Sequence, residues 1–372
     1  MVVLSVIIPI RNEQKHIAQT LDMLSTQKPP LSNGGYEFLV IDGISTDNTK
    51  EIVQAYCAKY PNVRYFENPK KLSSAARNIG VKNAEGKYVL IVDGHCIVDN
   101  KEMLANVVKA FETTEADILA RPQPLELKDA TPLQLAVAAA RRSRLGHHPD
   151  SFIYSGQAQW CPASSAGIAY RKKVFDTVGY FDETFDACED VEFNTRCDKA
   201  GLKCWFDPAI AVSYVPRNSL PGLFYQMMRY GKGRVKLFRK HPETFSLKTF
   251  GLGLFVFCVI AGFILLLAGG TAYTIVDLQT PRPWTPETYG LPTILGQSFG
   301  LIGAIYGCVL ALYSLAVLFE SLRLTLSTSR QTAGLNRFRM FAHIPQVFIT
   351  LHFGFGWGIL RETLRRPSGQ NR

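Results

Sequence analysis

Three long apolar runs crowd the last third of the chain, and they constrain its fold more than any other feature. The segments at about 250–270, 293–319 and 340–360 are almost free of charge. Each is long enough to cross roughly 30 Å of hydrocarbon as a helix. Globular helices rarely carry so long an uncharged run, so the first two are expected to span a membrane. The third holds His343, Pro345, Gln346, His352 and several glycines, which loosen a helix in lipid. Arginine placement bears on orientation. With the N-terminal part inside, the outer loop 271–290 carries only Arg282, while the next inner loop carries Arg323, Arg330, Arg337 and Arg339. A third full crossing would leave Arg361, Arg365, Arg366 and Arg372 outside, against that rule. A re-entrant or interfacial third segment is therefore the expectation, with full spanning as its alternative.

Ahead of these runs the pattern is mixed and globular. The composition break suggests a globular domain over 1–220, a basic amphipathic region over 221–247 and a membrane domain over 248–372. The net charge of +10 gathers beside the apolar runs, which favours anionic lipid over nucleic acid as a partner. Eight cysteines, with no CxxC pair among them, indicate neither a disulfide framework nor a zinc finger. They read as reduced and mostly structural, as in a cytosolic domain. The opening Val2-Val3-Leu4-Ser5-Val6-Ile7-Ile8-Pro9 has no basic flank or small-residue cleavage site, and reads as a buried strand rather than a signal peptide.

Short β-branched runs at 3–10, 37–41, 63–67 and 88–92 alternate with helical patterns at 13–27, 46–59 and 74–84. Such alternation predicts an α/β domain with a doubly wound, mostly parallel sheet and helices on both faces. Ligands of such sheets bind at the carboxyl ends of the strands. Four polar clusters stand there: Pro9-Ile10-Arg11-Asn12-Glu13, the stretch from Asp42 to Thr49, the stretch from Leu72 to Gly80, and Asp93-Gly94-His95. Taken singly, each is explained by turns and helix caps. Asp42-Gly43 could be a turn, Ser45 a cap and Asn78 another cap.

Their joint order, from Leu4 to about Lys240, resembles the inverting family 2 glycosyltransferases of the GT-A fold. The pattern of Asp93-Gly94-His95, Cys188-Glu189-Asp190 and Tyr230-Gly231-Lys232-Gly233-Arg234 is similar to that of the ExoA-type succinoglycan glucosyltransferases. The resemblance implies a nucleotide-sugar site built from Pro9, Asn12, Glu13, Asp42, Ser45, Arg77, Asn78 and Asp93. Physical chemistry suits those roles. Glu13 and Asp42 can accept from base and ribose, and Arg77 offers a forked cation to the diphosphate. The family holds a divalent metal, Mn²⁺ or Mg²⁺, at the position of Asp93. The usual Asp-x-Asp is here Asp93-x-His95, and imidazole suits Mn²⁺ better than Mg²⁺. His95 therefore either shifts metal preference or touches the diphosphate directly; a purely local hydrogen bond is the bland alternative.

Asp190 matches the family's catalytic base. Inversion needs one carboxylate opposite the leaving diphosphate, and the metal replaces a second acid. Glu189 and Glu192 could be simple helix-start charges. The small-residue stretch Cys161 to Gly167 looks like the acceptor-side segment. Gln226, Arg229 and Tyr230 share a helix face by spacing and resemble the Gln-x-x-Arg-Trp of processive relatives, which cap the diphosphate. The bland reading is a surface helix, with Leu223, Phe224, Met227, Met228, Val235 and Leu237 facing lipid and Arg229, Lys232, Arg234, Lys236, Arg239 and Lys240 meeting headgroups. His147 and His148 read as a loop over the acceptor side rather than a metal pair.

The resemblance implies a multi-pass protein of the cytoplasmic membrane with its catalytic domain in the cytoplasm. The expected reaction moves one sugar, glucose from UDP-glucose, to a lipid-linked saccharide in exopolysaccharide synthesis. Transfer to polyprenyl phosphate, and a non-catalytic nucleotide-sugar-binding protein, are the alternatives.

Overall fold

A computed structural model describes residues 1–29, 34–125, 127–128, 130–146, 152–153, 155–279, 286–327 and 335–365. His147, His148, Arg282, Arg330, Arg366 and Arg372 lie outside the described residues. The chain forms two compact units, Met1–Ala138 with His147–Arg217, and Ala139–Gly146 with Asn218–Arg372.

The first unit opens with β1 (Val2–Ile10), α1 (Ile17–Ser25), β2 (Gly35–Asp42), α2 (Thr49–Lys59), β3 (Val63–Glu67), α3 (Ser73–Asn83) and β4 (Tyr88–Ile91). It continues through β5 (Cys96–Ile97), α4 (Met103–Thr113), β6 (Ile118–Ala120), α5 (Pro132–Arg142), β7 (Gln159–Trp160) and α6 (Ala163–Ala166). It closes with β8 (Gly167–Arg171), α7 (Val174–Val178), α8 (Glu189–Lys199), β9 (Cys204–Phe206) and β10 (Ser213–Tyr214). Eight strands form one sheet in the order β3-β2-β1-β4-β8-β6-β9-β7, and β10 pairs with β5. The β3-β2-β1-β4 half is wholly parallel. Antiparallel β8 joins it to β6, which runs parallel to β9.

The local physics follows the pattern of the sequence. Residues 3–8 of β1 are all buried, as a central parallel strand covered on both faces must be. On α1 the buried Ile17, Leu21 and Leu24 recur at the spacing of one helix face. Gly80 lets α3 lie close on the sheet, because a Cβ there would run into the Ile7 side chain. With β1 to β4 parallel, their carboxyl ends open along one edge, where the four polar clusters lie.

The second unit contains α9 (Leu220–Lys240), α10 (Leu247–Gln279), α11 (Pro286–Ser327) and α12 (Leu335–Leu364). Two stretches, Leu247–Ala272 and Ser298–Ser327, are long and apolar enough to cross a membrane. Their large side chains point outward: Phe263 is 56% exposed and Leu312 68%. A soluble core helix would cover such residues. The third apolar run behaves differently, for Ile344, Val347, Phe348 and Leu351 are buried.

The lipid-facing assignment for α9 needs correction. Leu223, Met227, Met228, Val235 and Leu237 are buried in the protein. The reason is a glycine-rich face on α12. A Cβ on Gly354 would meet Phe224 O at 2.9 Å and Met227 Cβ at 3.0 Å, and one on Gly358 would overlap Met228 O. Small residues let helix backbones approach closely. Arg239 then closes the end of α12, donating to Glu362 O at 2.8 Å and pairing with the Glu362 carboxylate at 3.5 Å. A cation on the last carbonyls of a helix satisfies orphan acceptors and complements the dipole.

Candidate active site

The loops after β1 and β2 are stitched to each other. Asn12 N donates to Ser45 Oγ at 2.9 Å, and Thr46 N donates to Asn12 Oδ1 at 2.8 Å. Glu13 N donates to Thr49 Oγ1 at 2.8 Å. Asp42, only 1% exposed, accepts from Ser45 N and Oγ at 3.0 and 2.6 Å and from Tyr65 OH at 2.9 Å. These bonds hold the backbone in unusual shapes. Among the described residues, Asn12, Ile44, Lys71 and Cys188 are the non-glycine ones with positive φ, at 56, 55, 59 and 63°. Three stand just past strand ends and the fourth precedes α8; for a β-branched residue such as Ile44 that conformation is strained. Pro9 stays inside β1, half-buried, where its carbonyl accepts from Gly94 N at 3.4 Å.

Two strands away, Asp93 and His95 are each held by a partner. Tyr214 OH donates to Asp93 Oδ2 at 2.9 Å. His95 Nδ1 lies 2.9 Å from Glu13 Oε1. Burial lowers the His95 pKa, but Glu13 and the charge of Asp93 outweigh it, so the net direction is upward. The Glu13 carboxylate is thus engaged with the His95 ring. A carboxylate on one ring nitrogen fixes the ring and leaves the other to face a ligand. Among the described residues no group of three or more His, Cys, Asp or Glu side chains could enclose an ion. An Asp oxygen and a His nitrogen do fit a hard-to-borderline divalent ion that takes its other ligands from water and a bound diphosphate.

The sequence reading missed Arg121. It follows β6 directly and is fully buried, donating from Nη2 to Ile91 O at 3.2 Å. Its Nε and Nη1 have no hydrogen-bond partner. Its charge acts on Cys96 and Tyr214 together with that of Asp93. The same rule that found the four clusters, a polar residue just after an apolar run, points to it.

Arg77 on α3 meets the start of α8. Its Nη2 lies 3.3 Å from Glu189 Oε1, and both side chains are 8% exposed. Burial opposes its charge, yet Glu189, Asp190 and Asp93 together hold the guanidinium protonated. Side chains from α3, from α8 and from the end of β4 therefore share one electrostatic neighbourhood. Arg77 Nε and Nη1 are buried with no partner, so the pair is incomplete as built. Burial pushes the Glu189 carboxyl up, Arg77 opposes this, and the neighbouring Asp190 adds to it. Asp190 is half-buried, and its Oδ1 accepts from Val191 N at 2.8 Å. Among the described residues it has no cationic partner within ion-pair distance.

Two residues of this region are structural. Asn78 donates both amide hydrogens, to Phe181 O at 2.9 Å and Glu183 Oε1 at 2.8 Å, and its Oδ1 accepts from Phe181 N at 2.9 Å. Both of its amide hydrogens are thus engaged within the protein. Glu192, fully buried, takes two bonds from Arg196 at 2.9 and 3.0 Å, and Arg196 also donates to Val178 O and Tyr180 O. Together these fix the 178–183 turn beside α8. The Cys161–Gly167 stretch is anchored by Asp198, which accepts from Ala163 N at 2.7 Å and Ser164 N at 3.0 Å. Gln226, Arg229 and Tyr230 belong to the second unit, where Gln226 Nε2 lies 3.3 Å from Tyr230 OH.

Comparison with known proteins bears on this arrangement. Residues 5–177 match the profile described as Glycosyl transferase family 2. The chain is 29% identical over 306 residues to the succinoglycan biosynthesis protein ExoA of Rhizobium meliloti, covering 81% of this chain and 89% of that one. It is 28% identical over 241 residues to the dolichyl N-acetyl-α-D-glucosaminyl phosphate 3-β-D-2,3-diacetamido-2,3-dideoxy-β-D-glucuronosyltransferase of Methanococcus voltae, covering 64% and 74%. Among solved structures, the mannosyltransferase PcManGT of Pyrobaculum calidifontis, in complex with GDP-Man and Mn²⁺, superposes with a TM-score of 0.50 at 17% identity. The match covers 95% of this chain and 87% of that one, a likeness of fold.

Proposed function

Residues 5–177 are a family 2 glycosyltransferase domain of the GT-A fold, the chain is a glycosyltransferase, and from that premise we propose that it transfers one sugar from a nucleotide diphosphate donor, with inversion, to a lipid-linked saccharide. One observation carries the reading: Arg77 pairs with Glu189 at 3.3 Å, feels the charges of Asp190 and Asp93, and keeps two buried guanidinium nitrogens without a partner. A guanidinium held charged by carboxylates, yet still offering donors, suits a diphosphate. Arg121 adds buried positive charge to the Asp93 side of the site.

In this reading Asp190 takes the proton of the acceptor hydroxyl as its oxygen attacks the anomeric carbon, opposite the departing diphosphate. The half-buried carboxylate at the start of α8, with no cation at ion-pair distance among the described residues, suits a base. Asp93 and His95 would hold a divalent ion, with Glu13 and Tyr214 fixing their orientation. Such an ion, when bound, neutralises the leaving diphosphate. Asp42 and Ser45 would shape the base and ribose side through the Asn12 loop.

We place the donor as UDP-glucose because of the likeness to the succinoglycan protein, whose own name links it to exopolysaccharide synthesis. The two apolar helices support a membrane anchor, and the arginine distribution supports a catalytic domain facing the cytoplasm. The test uses the full chain in nanodiscs with radiolabelled nucleotide sugars, Mn²⁺ and extracted lipid-linked saccharides. We expect label in the lipid fraction from UDP-glucose. Asp190→Asn is expected to bind UDP normally while turning over about 10²–10⁴-fold more slowly. Equal turnover by that variant removes Asp190 as the base. Label that appears only with polyprenyl monophosphate replaces the saccharide acceptor.

A further inference from the structure

The last two strands of the main sheet, β9 and β7, carry chemistry that sugar transfer does not use. Their antiparallel pairing sets Gln159 against Phe206 and Trp160 against Trp205. The next rung sets Cys161 against Cys204, and Cys161 N donates to Cys204 O at 3.1 Å. A hydrogen-bonded antiparallel pair has its Cα atoms about 5.5 Å apart, and a disulfide accepts Cα separations of about 4.4–6.8 Å. The backbone therefore already holds the two thiols within closing range.

The two cysteines are not equivalent. Cys161 is half-buried and Cys204 is 3% exposed. Contact with Cys204 pushes the Cys161 thiol down, against burial, whereas contact with Cys161 and burial push Cys204 up. Burial pushes Cys57, Cys96 and Cys197 upward instead. Both Cys161 and Cys204 line an open cavity of about 770 Å³, with Trp160, Asp198 and Lys203 on its wall. A small oxidant has a path to Cys161, and a lowered thiol is the nucleophile of such a pair.

We propose that Cys161 and Cys204 form a reversible disulfide modification site that reacts with low-molecular-weight disulfides such as oxidised glutathione. The Cys161 thiolate attacks one glutathione sulfur, breaks the S–S bond and releases a first glutathione thiolate. Cys204 then loses its proton and attacks Cys161 Sγ, forming the protein disulfide and releasing the second glutathione. Two protein thiols are oxidised, one small disulfide is reduced, and the two protons end on the two glutathiones. Closure must draw the Cβ atoms in to about 3.5–4.5 Å, which strains the rung. Strained disulfides are the readily reduced ones, so the bond is reversible. It would lock the start of the Pro162–Gly167 segment, which Asp198 already holds from α8.

The experiment incubates the full chain, in detergent, with reduced or oxidised glutathione, traps remaining thiols with N-ethylmaleimide in acid, and maps peptides by mass spectrometry. In oxidised glutathione we expect a Cys161–Cys204 linked peptide as the majority species, lost on adding dithiothreitol. Cys204→Ser should stop at a glutathione adduct on Cys161, and Cys161→Ser should give neither adduct nor link. The wild-type result needs no variant to fold. Absence of the link in wild type, a link through Cys197, or a Cys161 adduct that never resolves overturns the proposal.

Discussion

Replacing Arg77 with methionine removes the cation paired with the buried Glu189 carboxylate while keeping much of the side-chain volume. At the observed 3.3 Å, two unit charges attract by about 5 kcal/mol in an effective dielectric of about 20. Desolvation offsets much of that gain, so the intact pair contributes little net stability. The variant is another matter, because Glu189 is left buried without a cation, a loss of about 3–5 kcal/mol. At roughly 2–4 °C per kcal/mol for a unit of this size, the melting temperature should fall by roughly 6–20 °C.

The assay is thermal unfolding in detergent, followed by tryptophan fluorescence, to which Trp160 and Trp205 of the first unit contribute. Adding Glu189→Gln should restore at least half of the loss, since no charge is then stranded. The pH dependence has a definite sign. Glu189 has its folded pKa raised, so its penalty is present in full above that folded value and vanishes once pH falls below the unfolded one. The Arg77→Met deficit should therefore shrink as pH is lowered. On the proposed function, UDP at a hundred times its Kd should stabilise the wild type by about 2.7 kcal/mol, and that shift should be lost in the variant. A variant melting within about 2 °C of wild type, or a double variant no more stable than the single, would refute the reasoning.

Other consequences are simpler to state. Glu13→Leu frees His95 and should weaken Mn²⁺ binding in the presence of UDP by about 10–100-fold, measured by electron paramagnetic resonance; an unchanged affinity means that Glu13 does not orient His95. Lys70 and then Asn78 hold the Glu183 carboxyl below its usual value, so its stabilisation is present at neutral pH and lost as pH falls through the folded pKa. Glu183→Gln should thus show a shallower acid limb between about pH 5 and 3 in an unfolding titration; an unchanged slope counts against it. A Cβ on Gly231 would overlap Phe355 O, whereas Gly251 has nothing within 4 Å of such a Cβ. Gly231→Ala should lower the thermal stability of the detergent-solubilised chain, while Gly251→Ala should raise it by up to about 1 kcal/mol; equal effects would mean that α9 and α12 do not need their close approach.

Much of the first unit was legible because burial writes itself into a strand. β1 to β4 are runs of apolar, β-branched residues, and their observed limits lie within about two residues of those expected from pattern. The polar residues just beyond them follow from the same logic. Asn78 shows where that logic stops. Its position after a strand suggested a ligand contact, but its partners Phe181 and Glu183 come from more than a hundred residues away, and no local pattern announces them. Arg121 obeys that logic but was overlooked, since β6 is only three residues long and so short a run stands out little from its surroundings.

By itself the sequence determined the element order of the N-terminal half, the apolar length of two helices in the second unit and the residue types available for a diphosphate site. These are properties of neighbours along the chain, governed by short-range sterics and transfer from water. Only the tertiary structure decided that Glu13 serves His95, that Arg77 pairs with Glu189, that Asn78 is a staple, and that α9 turns its apolar side to the glycines of α12. Those outcomes depend on which distant groups share a low-dielectric space, where an unpaired charge or donor is unfavourable and packing selects the partner.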